Sequence, residues 1–184
     1  MYPWDDYFQL GIERQSTWTK QLRQNKQSLE KWNKWSIDAT KLLNNQQVIS
    51  HRDLDPKNVM WHHDNPRLFD WKAAGSINPY QELIEVINYW CDDGKDQLNY
   101  QLVEGMINAY KNKYPLEDIQ WIPVLNSGYA GMLGWLDYSF KSSLGIEAST
   151  DEEKDIGTHQ VLITMEKLFN YEEKTEGLLN WFMR

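Results

Sequence analysis

The chain has 184 residues, of which 41% are hydrophobic and 25% charged, a balance typical of a globular protein with a real core. Its formal net charge of −8 disfavours nucleic acid as a partner, because phosphate binding needs a basic surface, and it would suit a cationic ligand. One cysteine, Cys91, excludes an internal disulfide framework, and no segment has the roughly 18 consecutive apolar residues of a membrane span, so we expect one soluble cytoplasmic domain over residues 1–184.

The predicted elements begin with an irregular lead-in over residues 1–12 that carries aromatic anchors. Residues 16–44 have a helical pattern, with Trp18, Leu22 and Trp32 on one apolar stripe and polar residues elsewhere. This pattern fits either one bent helix or two helices.

Short β-prone runs follow at residues 48–50, 59–61 and 67–69. The Asp64-Asn65-Pro66 stretch between the last two runs is a turn signal, so we expect a small hairpin. Two aspartates, Asp53 and Asp70, each come just after an apolar run. Rigid strands of this kind would project both carboxylates into one cleft.

Capping patterns predict the helices that come next. Asn78 followed by Pro79 predicts a helix start, with Gln81 able to complete a capping box and Gly94 as the stop. Further helices are predicted over residues 96–114, over residues 117–144, and from Thr150 toward the C-terminus. The predicted fold class is mainly α (α+β), a helical body around a small β-hairpin that carries the polar residues.

A polar motif of fixed spacing lies in this hairpin region. The stretch His51-Arg52-Asp53-Leu54-Asp55-Pro56-Lys57-Asn58 matches H-R-D-L-x-x-x-N, the catalytic loop of protein-kinase-like phosphotransferases. Phosphoryl transfer needs a carboxylate that faces the acceptor hydroxyl and oxygen ligands that hold Mg²⁺ against the phosphates. Asp53 and Asn58 fit these roles, and Asp70 can add the metal's carboxylate if the hairpin returns it beside Asn58. The alternative is that Asp53 and Asp70 only cap turns.

Two segments of the chain resemble a known family. SHRDLDPKNVMW and RLFDWKAAGSINPYQELIEV are similar to the catalytic and metal-binding motifs of the aminoglycoside phosphotransferase and choline kinase-like family, and the match is specific over about residues 48–90. The resemblance implies a helical C-terminal lobe of a protein-kinase-like fold, with Asp53 as catalytic base and Asn58 and Asp70 as Mg²⁺ ligands. His51 and Arg52 would support the catalytic loop. The phosphate donor would be ATP or GTP, and the acceptor a hydroxyl of a small molecule such as an aminoglycoside, choline or an amino alcohol.

Departures from protein kinases favour a small, cationic acceptor over a peptide. Trp71-Lys72 follows Asp70 where a protein kinase has Phe-Gly, and no room remains for a long activation segment. Asp55 stands where Ser/Thr protein kinases commonly carry lysine, although it could equally be a solvated turn residue. In the resembling family the acceptor lies against the C-terminal helices. The substrate-binding candidates there are Trp135, Asp137 and Tyr138, and the acidic run at residues 151–153. The alternatives are core packing for the two rings and a favourable helix N-terminus for the acidic run.

The region before the motif departs from the two-lobed kinase pattern. Only 50 residues precede His51, and they have a helical pattern without a glycine-rich loop or a strand lysine. We therefore expect the nucleotide lobe to be absent and Mg·ATP affinity to be poor. The leading hypothesis is the catalytic lobe of a small-molecule phosphotransferase. The alternative is a noncatalytic remnant that binds a ligand or a partner, or self-associates, through the apolar face that an absent lobe would leave.

Overall fold

The structure is a computed structural model that describes residues 2–116 and 118–184. Its helices are α1 (Trp4–Glu13), α2 (Thr19–Leu43), α3 (Pro79–Trp90), α4 (Tyr100–Lys111), α5 (Trp121–Ser127), α6 (Tyr129–Ser143) and α7 (Asp151–Phe182). Its strands are β1 (Val48–Ser50), β2 (Val59–His62), β3 (Asn65–Leu68) and β4 (Gly75–Ile77). The predicted mainly α class is therefore confirmed. Among the described residues, no helix combines the length and the apolar character needed to cross a membrane.

The chain divides into two compact units, and residues 2–37 with Tyr129–Glu173 form the first. Its core is built on aromatic rings, because the Phe140 ring lies 4.8 Å from that of Trp18 and 5.2 Å from that of Tyr7. Trp32 stacks on Tyr129 at 5.5 Å, and both side chains are fully buried. Most of the unusual tryptophan and tyrosine content of this region therefore serves packing.

The second unit comprises Asp38–Gly128 and Lys174–Arg184. Its core joins α3, α4, α5 and the end of α7 through apolar side chains. The fully buried members include Ile84, Ile87, Val103, Ile107, Val124 and Leu178. Two small antiparallel sheets lie in the same unit, one pairing β1 with β4 and one pairing β2 with β3.

The N-terminal segment forms helix α1 from Trp4, so the irregular lead-in predicted for residues 1–12 is wrong from Trp4 onward, and only Tyr2 and Pro3 of its described part lack regular structure. Met1 lies outside the described residues. Trp4, Tyr7 and Gly11 are the buried positions of α1, and their spacing of three and four places them on one helical face. Asp5 and Asp6 in the first turn complement the helix dipole. The region predicted as one or two helices after it is the single helix α2.

The predicted hairpin is confirmed, but its turn lies one or two residues earlier than the sequence indicates. His63 and Asp64 both have positive φ, 48° and 60°, which is the backbone of a two-residue turn that matches strand twist. Asn65 and Pro66 consequently belong to β3. The sequence reading also missed β4, which pairs residue for residue with β1.

The helix predictions hold in kind and differ at their ends. The cap at Asn78 is confirmed, because its side chain accepts hydrogen bonds from the N–H groups of Tyr80 and Gln81. However, α3 ends at Trp90, and Gly94 lies in the loop beyond it with φ of 81°. α4 begins only after Asn99, whose side chain caps it.

The helix predicted over residues 117–144 is two helices. Glu117 lies outside the described residues. α5 and α6 are separated by Gly128 alone, which keeps near-helical angles of −63° and −23°, so the chain re-enters helix at once. The capping box at the start of α7 is confirmed: the N–H of Glu153 donates to the Thr150 hydroxyl, and the Glu153 carboxylate accepts from the N–H of Thr150.

Candidate functional site

The catalytic-loop motif, residues 51–58, is held on helix α3 by two hydrogen bonds. The backbone N–H of Arg52 donates to Oε1 of Glu82 at 2.9 Å. The indole N–H of Trp90 donates to the carbonyl of Leu54 at 2.6 Å. Arg52 has φ of 64°, a left-handed conformation that costs a non-glycine residue about 1 kcal/mol or more, and the bond to Glu82 helps to retain it. Support of the loop by Arg52 therefore comes through its backbone.

Asp53 and Asn58, the two ends of the motif, are in direct contact. The Asn58 amide N–H₂ donates to Oδ2 of Asp53 at 2.8 Å and to the carbonyl of Asp53 at 2.9 Å. Asn58 is 7% exposed and Asp53 is half-buried. Because the Nδ2 atom of Asn58 is committed to Asp53, its Oδ1 oxygen is the atom that can face a cation.

The backbone of Phe69 ties the strand before Asp70 to the catalytic loop at two points. Its N–H donates to the carbonyl of Asn58 at 2.9 Å, which continues the β2–β3 pairing of Val59 with Leu68 by one residue. Its carbonyl lies 2.7 Å from Nε2 of His51, so the imidazole carries its proton on Nε2 and donates there. Buried His51 thus contacts backbone next to the loop, and its role in supporting catalysis stays a prediction. Asp70 directly follows Phe69, so these two backbone hydrogen bonds fix its position relative to the loop.

A model of the phosphotransferase enzyme family, APH, matches residues 3–115. This match covers more than half of the chain and includes the whole catalytic-loop motif and the Phe69-Asp70 segment. The chain is a member of the phosphotransferase enzyme family. Neither a curated protein nor a solved structure matches it. The predicted resemblance is therefore confirmed at the level of the family.

The donor chemistry of this family member fits a magnesium ion. Asp70 is exposed, has φ of 54°, and its carboxylate is 3.8 Å from the Lys72 ammonium, an ion pair that solvent weakens. The amide oxygen of Asn58 and the carboxylate of Asp70 are both hard oxygen donors, and Mg²⁺ takes one or two carboxylates and completes its shell with water and phosphate. In residues 2–116 and 118–184, no three His, Cys, Asp or Glu side chains cluster as a metal site. Magnesium ligation by Asn58 and Asp70 stays a prediction.

Helix α3 of the phosphotransferase-family chain turns a polar face toward the loop that sequence reasoning missed. Glu82, Glu85 and Tyr89 follow each other at spacings of three and four, which places them on one side of the helix. Burial raises the pKa of the Glu85 carboxyl, the hydrogen bond from Gln81 opposes this, and the nearby negative charges of Glu82 and Asp53 add to it. Burial followed by the charges of Glu85 and Asp53 raises the pKa of the Tyr89 hydroxyl. This helical spacing is the sequence signal that could have identified the face.

Asp55 lies in the same loop and caps a short 3₁₀ turn over Pro56–Asn58. Its Oδ1 accepts from the backbone N–H of Lys57 at 2.9 Å, and its Oδ2 lies 3.3 Å from the Lys57 ammonium. The hydrogen bond to Asp55 raises the pKa of Lys57. The sequence left two alternatives for Asp55, a turn residue or a contact to the acceptor. This geometry is that of a turn residue, and a substrate role for Asp55 stays a prediction.

The three substrate candidates on α6 lie in the first unit. Trp135 and Tyr138 are each about half exposed, and their rings stack at 5.4 Å. Asp137 is engaged within the protein, because it accepts from the Tyr7 hydroxyl at 2.6 Å and pairs with Lys141 at 2.8 Å. Burial and the hydrogen bond to Asp137 raise the pKa of Tyr7 well above the ordinary tyrosine range. The two rings are therefore better placed than Asp137 to contact a ligand.

Proposed function

We propose that this chain carries the base and the metal ligands of a reaction that transfers the γ-phosphate of ATP or GTP to a hydroxyl of a small molecule. The observation that carries the proposal is the pair of hydrogen bonds that the Phe69 backbone makes with His51 and Asn58. These bonds connect the loop that carries Asp53, the proposed base, to the end of β3, after which Asp70, the proposed second metal ligand, follows. Membership of a phosphotransferase family supports the same reaction class. The protein-kinase-like lobe is part of this proposal.

In the proposed reaction Asp53 is the general base. Oδ2 of Asp53 accepts from Asn58, which orients the carboxylate and leaves Oδ1 to take the proton of the acceptor hydroxyl. The acceptor oxygen forms a bond to the γ-phosphorus as the bond from that phosphorus to the β,γ-bridging oxygen breaks, which gives a phosphate monoester and a nucleoside diphosphate. Asn58 and Asp70 would hold Mg²⁺, which supplies positive charge against the phosphate oxygens when bound. The protein's own contribution is orientation of Asp53 through Asn58.

The walls of a cleft in the first unit suit a cationic small molecule. The cleft has a volume of about 220 Å³, and its lining includes the exposed rings of Trp135 and Tyr138 together with Glu147 and Glu153. Aromatic faces attract ammonium groups, and carboxylates pair with them. Backbone hydrogen bonds from Ser149 and Thr150 lower the pKa of Glu153, so its charge persists in mildly acidic solution. The chemistry of these walls therefore matches a small molecule that carries an amine.

The test is turnover with a panel of acceptors. The chain is incubated with Mg·ATP and an aminoglycoside, choline or an amino alcohol, and the phosphorylated product is measured by mass spectrometry. Asp53→Asn should lower turnover by about a hundredfold or more, since a positioned base contributes at least that much. The matched control is Asp64→Asn, the same substitution in an exposed turn residue whose left-handed backbone asparagine accepts. Turnover in Asp53→Asn equal to that of the control would exclude Asp53 as the base.

The exposed apolar side chains of the hairpin favour a second candidate function, a noncatalytic module that binds a partner or a second copy of the chain. Met60 and Trp61 are 60% and 62% exposed, and Ile49, Phe69 and Trp71 are also open to solvent. Exposed apolar side chains of this size are common on interaction surfaces. Sedimentation velocity of the chain should show a dimer that Trp61→Glu dissociates. Micromolar calorimetric binding of Mg·ATP would instead favour the phosphotransferase over the noncatalytic module.

A further inference from the structure

A cavity of about 440 Å³ lies within the second unit, between α3, α4 and the start of the catalytic loop. Small-molecule sites in proteins have volumes of roughly 300–1,000 Å³, so the cavity can take a compact organic ligand. Leu83 and Val86 of α3, Met106 of α4 and Leu54 of the loop give it apolar walls. Asp53, Asn58 and Asp70 do not line it, so the cavity is separate from the proposed reaction centre.

Two tyrosines provide the aromatic part of the cavity wall. The rings of Tyr110 and Tyr114 are 5.9 Å apart and meet edge to face. Burial, then the neighbouring Tyr114 and Tyr80, and the charge of Glu82 raise the pKa of Tyr110 to about 12. Its hydroxyl is consequently neutral at physiological pH and can donate or accept a hydrogen bond. These walls suit a flat ring that stacks or packs edge-on.

Glu82 gives the cavity its charge. Among the described residues that line the cavity, Glu82 is the only ionisable one apart from the tyrosines. One oxygen of its half-buried carboxylate accepts from the N–H of Arg52. A carboxylate has about four acceptor positions, so this bond leaves capacity for another donor. A negative charge at an apolar wall is stabilised most by a cation that brings its own N–H donors.

We propose that this cavity is a binding site for a flat aromatic cation, with the ring between the apolar walls and Tyr110 and the cationic N–H group on the Glu82 carboxylate. An aryl amidinium has the matching chemistry, because it offers two parallel N–H donors and a positive charge. A ligand bound in this way contacts Leu54, the residue after Asp53. The site therefore adjoins the catalytic loop without including its base.

The experiment titrates three ligands of the same shape and different charge into the full chain. Benzamidine is the cation, benzamide the neutral isostere and benzoate the anion, and binding is followed by calorimetry and by chemical shifts of the protein. We expect benzamidine to bind about tenfold or more tightly than benzamide, since its hydrogen bonds to the carboxylate are charge-assisted, and benzoate not to bind. Equal binding of all three, or no binding of benzamidine, would overturn the proposal.

Variants place the ligand in the cavity. Ala109→Trp fills the space from an exposed position on α4 and should abolish benzamidine binding, whereas Ala130→Trp, the same substitution on the exposed side of α6, should leave it unchanged. Glu82→Gln keeps an oxygen acceptor for Arg52 and should weaken benzamidine about tenfold while benzamide changes little. Circular dichroism confirms that each variant is folded. Unaltered benzamidine affinity in folded Ala109→Trp would refute the site.

Discussion

The contact between Asn58 and Asp53 should be worth about 2–3 kcal/mol to folding, and Asn58→Leu removes it while keeping the branched shape of the side chain. The substitution deletes a neutral hydrogen bond to the Asp53 carbonyl, worth about 1 kcal/mol, and a charge-assisted bond to the carboxylate, worth about 1.5–3 kcal/mol. Because Asp53 is half-buried and solvent can replace part of these bonds, we expect a loss near the lower end, about 2–3 kcal/mol. Urea unfolding followed by circular dichroism measures it, and unchanged m-values show that the same transition is compared.

A double-mutant cycle with Asp53→Ala isolates the bond between the two side chains. Asp53→Ala leaves the carbonyl bond of Asn58 in place, so the coupling energy should be about 1–2 kcal/mol. The matched control is the cycle of Asn58→Leu with Asp55→Ala, because the Asp55 carboxylate contacts Lys57 and not the Asn58 side chain. That control should give a coupling of no more than about 0.5 kcal/mol. Equal coupling in the two cycles would refute the claim that Asn58 orients the Asp53 carboxylate.

Three further substitutions test how the site is held. Trp90→Phe removes only the indole N–H that binds the Leu54 carbonyl and should cost about 1 kcal/mol in urea unfolding. Asn78→Ala deletes two accepted and two donated hydrogen bonds at a buried position and should cost about 2 kcal/mol or more. Asn65→Ala, the matched control, loses one exposed bond to the His63 carbonyl and should cost no more than about 0.5 kcal/mol. Burial raises the pKa of Glu85 in the folded state, so its contribution to stability is greatest at acidic pH and falls as pH rises. Glu85→Gln should therefore be more stable than the wild type at pH about 7, with the difference vanishing toward pH about 4, and a constant difference across this range would contradict it.

The parts of the fold that the sequence predicted are those set by neighbouring residues. The hairpin and the start of α3 follow from β-prone runs, a turn and the Asn78-Pro79 cap, all of which act within a few positions. α1 could not be recognised in the same way, because what fixes it is contact with distant residues. The Tyr7 hydroxyl, for example, binds Asp137, which is 130 residues away in sequence. The single-residue break at Gly128 has the same character, since nothing local distinguishes it from a helical glycine.

In the candidate site too, local contacts could be predicted from the sequence and long-range ones could not. Asp53 and Asn58 are separated by five positions, and the spacing of the motif alone predicts that the loop brings them together. Glu82 and Trp90 act on backbone groups 30 and 36 residues earlier, and a backbone group has no sequence signature. Their roles became visible only when α3 was placed against the loop.

The segments that carry Asp53 and Asp70 are linked through backbone atoms of Phe69, which explains why an apolar residue can hold them together. Both bonds of Phe69 are made by its N–H and its carbonyl, so almost any side chain at this position would keep them. Proline is the exception, because it lacks the N–H that binds Asn58. The Phe69 ring is free for another purpose and is 47% exposed. Placement of Asp70 is thus set by strand pairing and by His51, while the side chains around it remain available for a ligand or a partner.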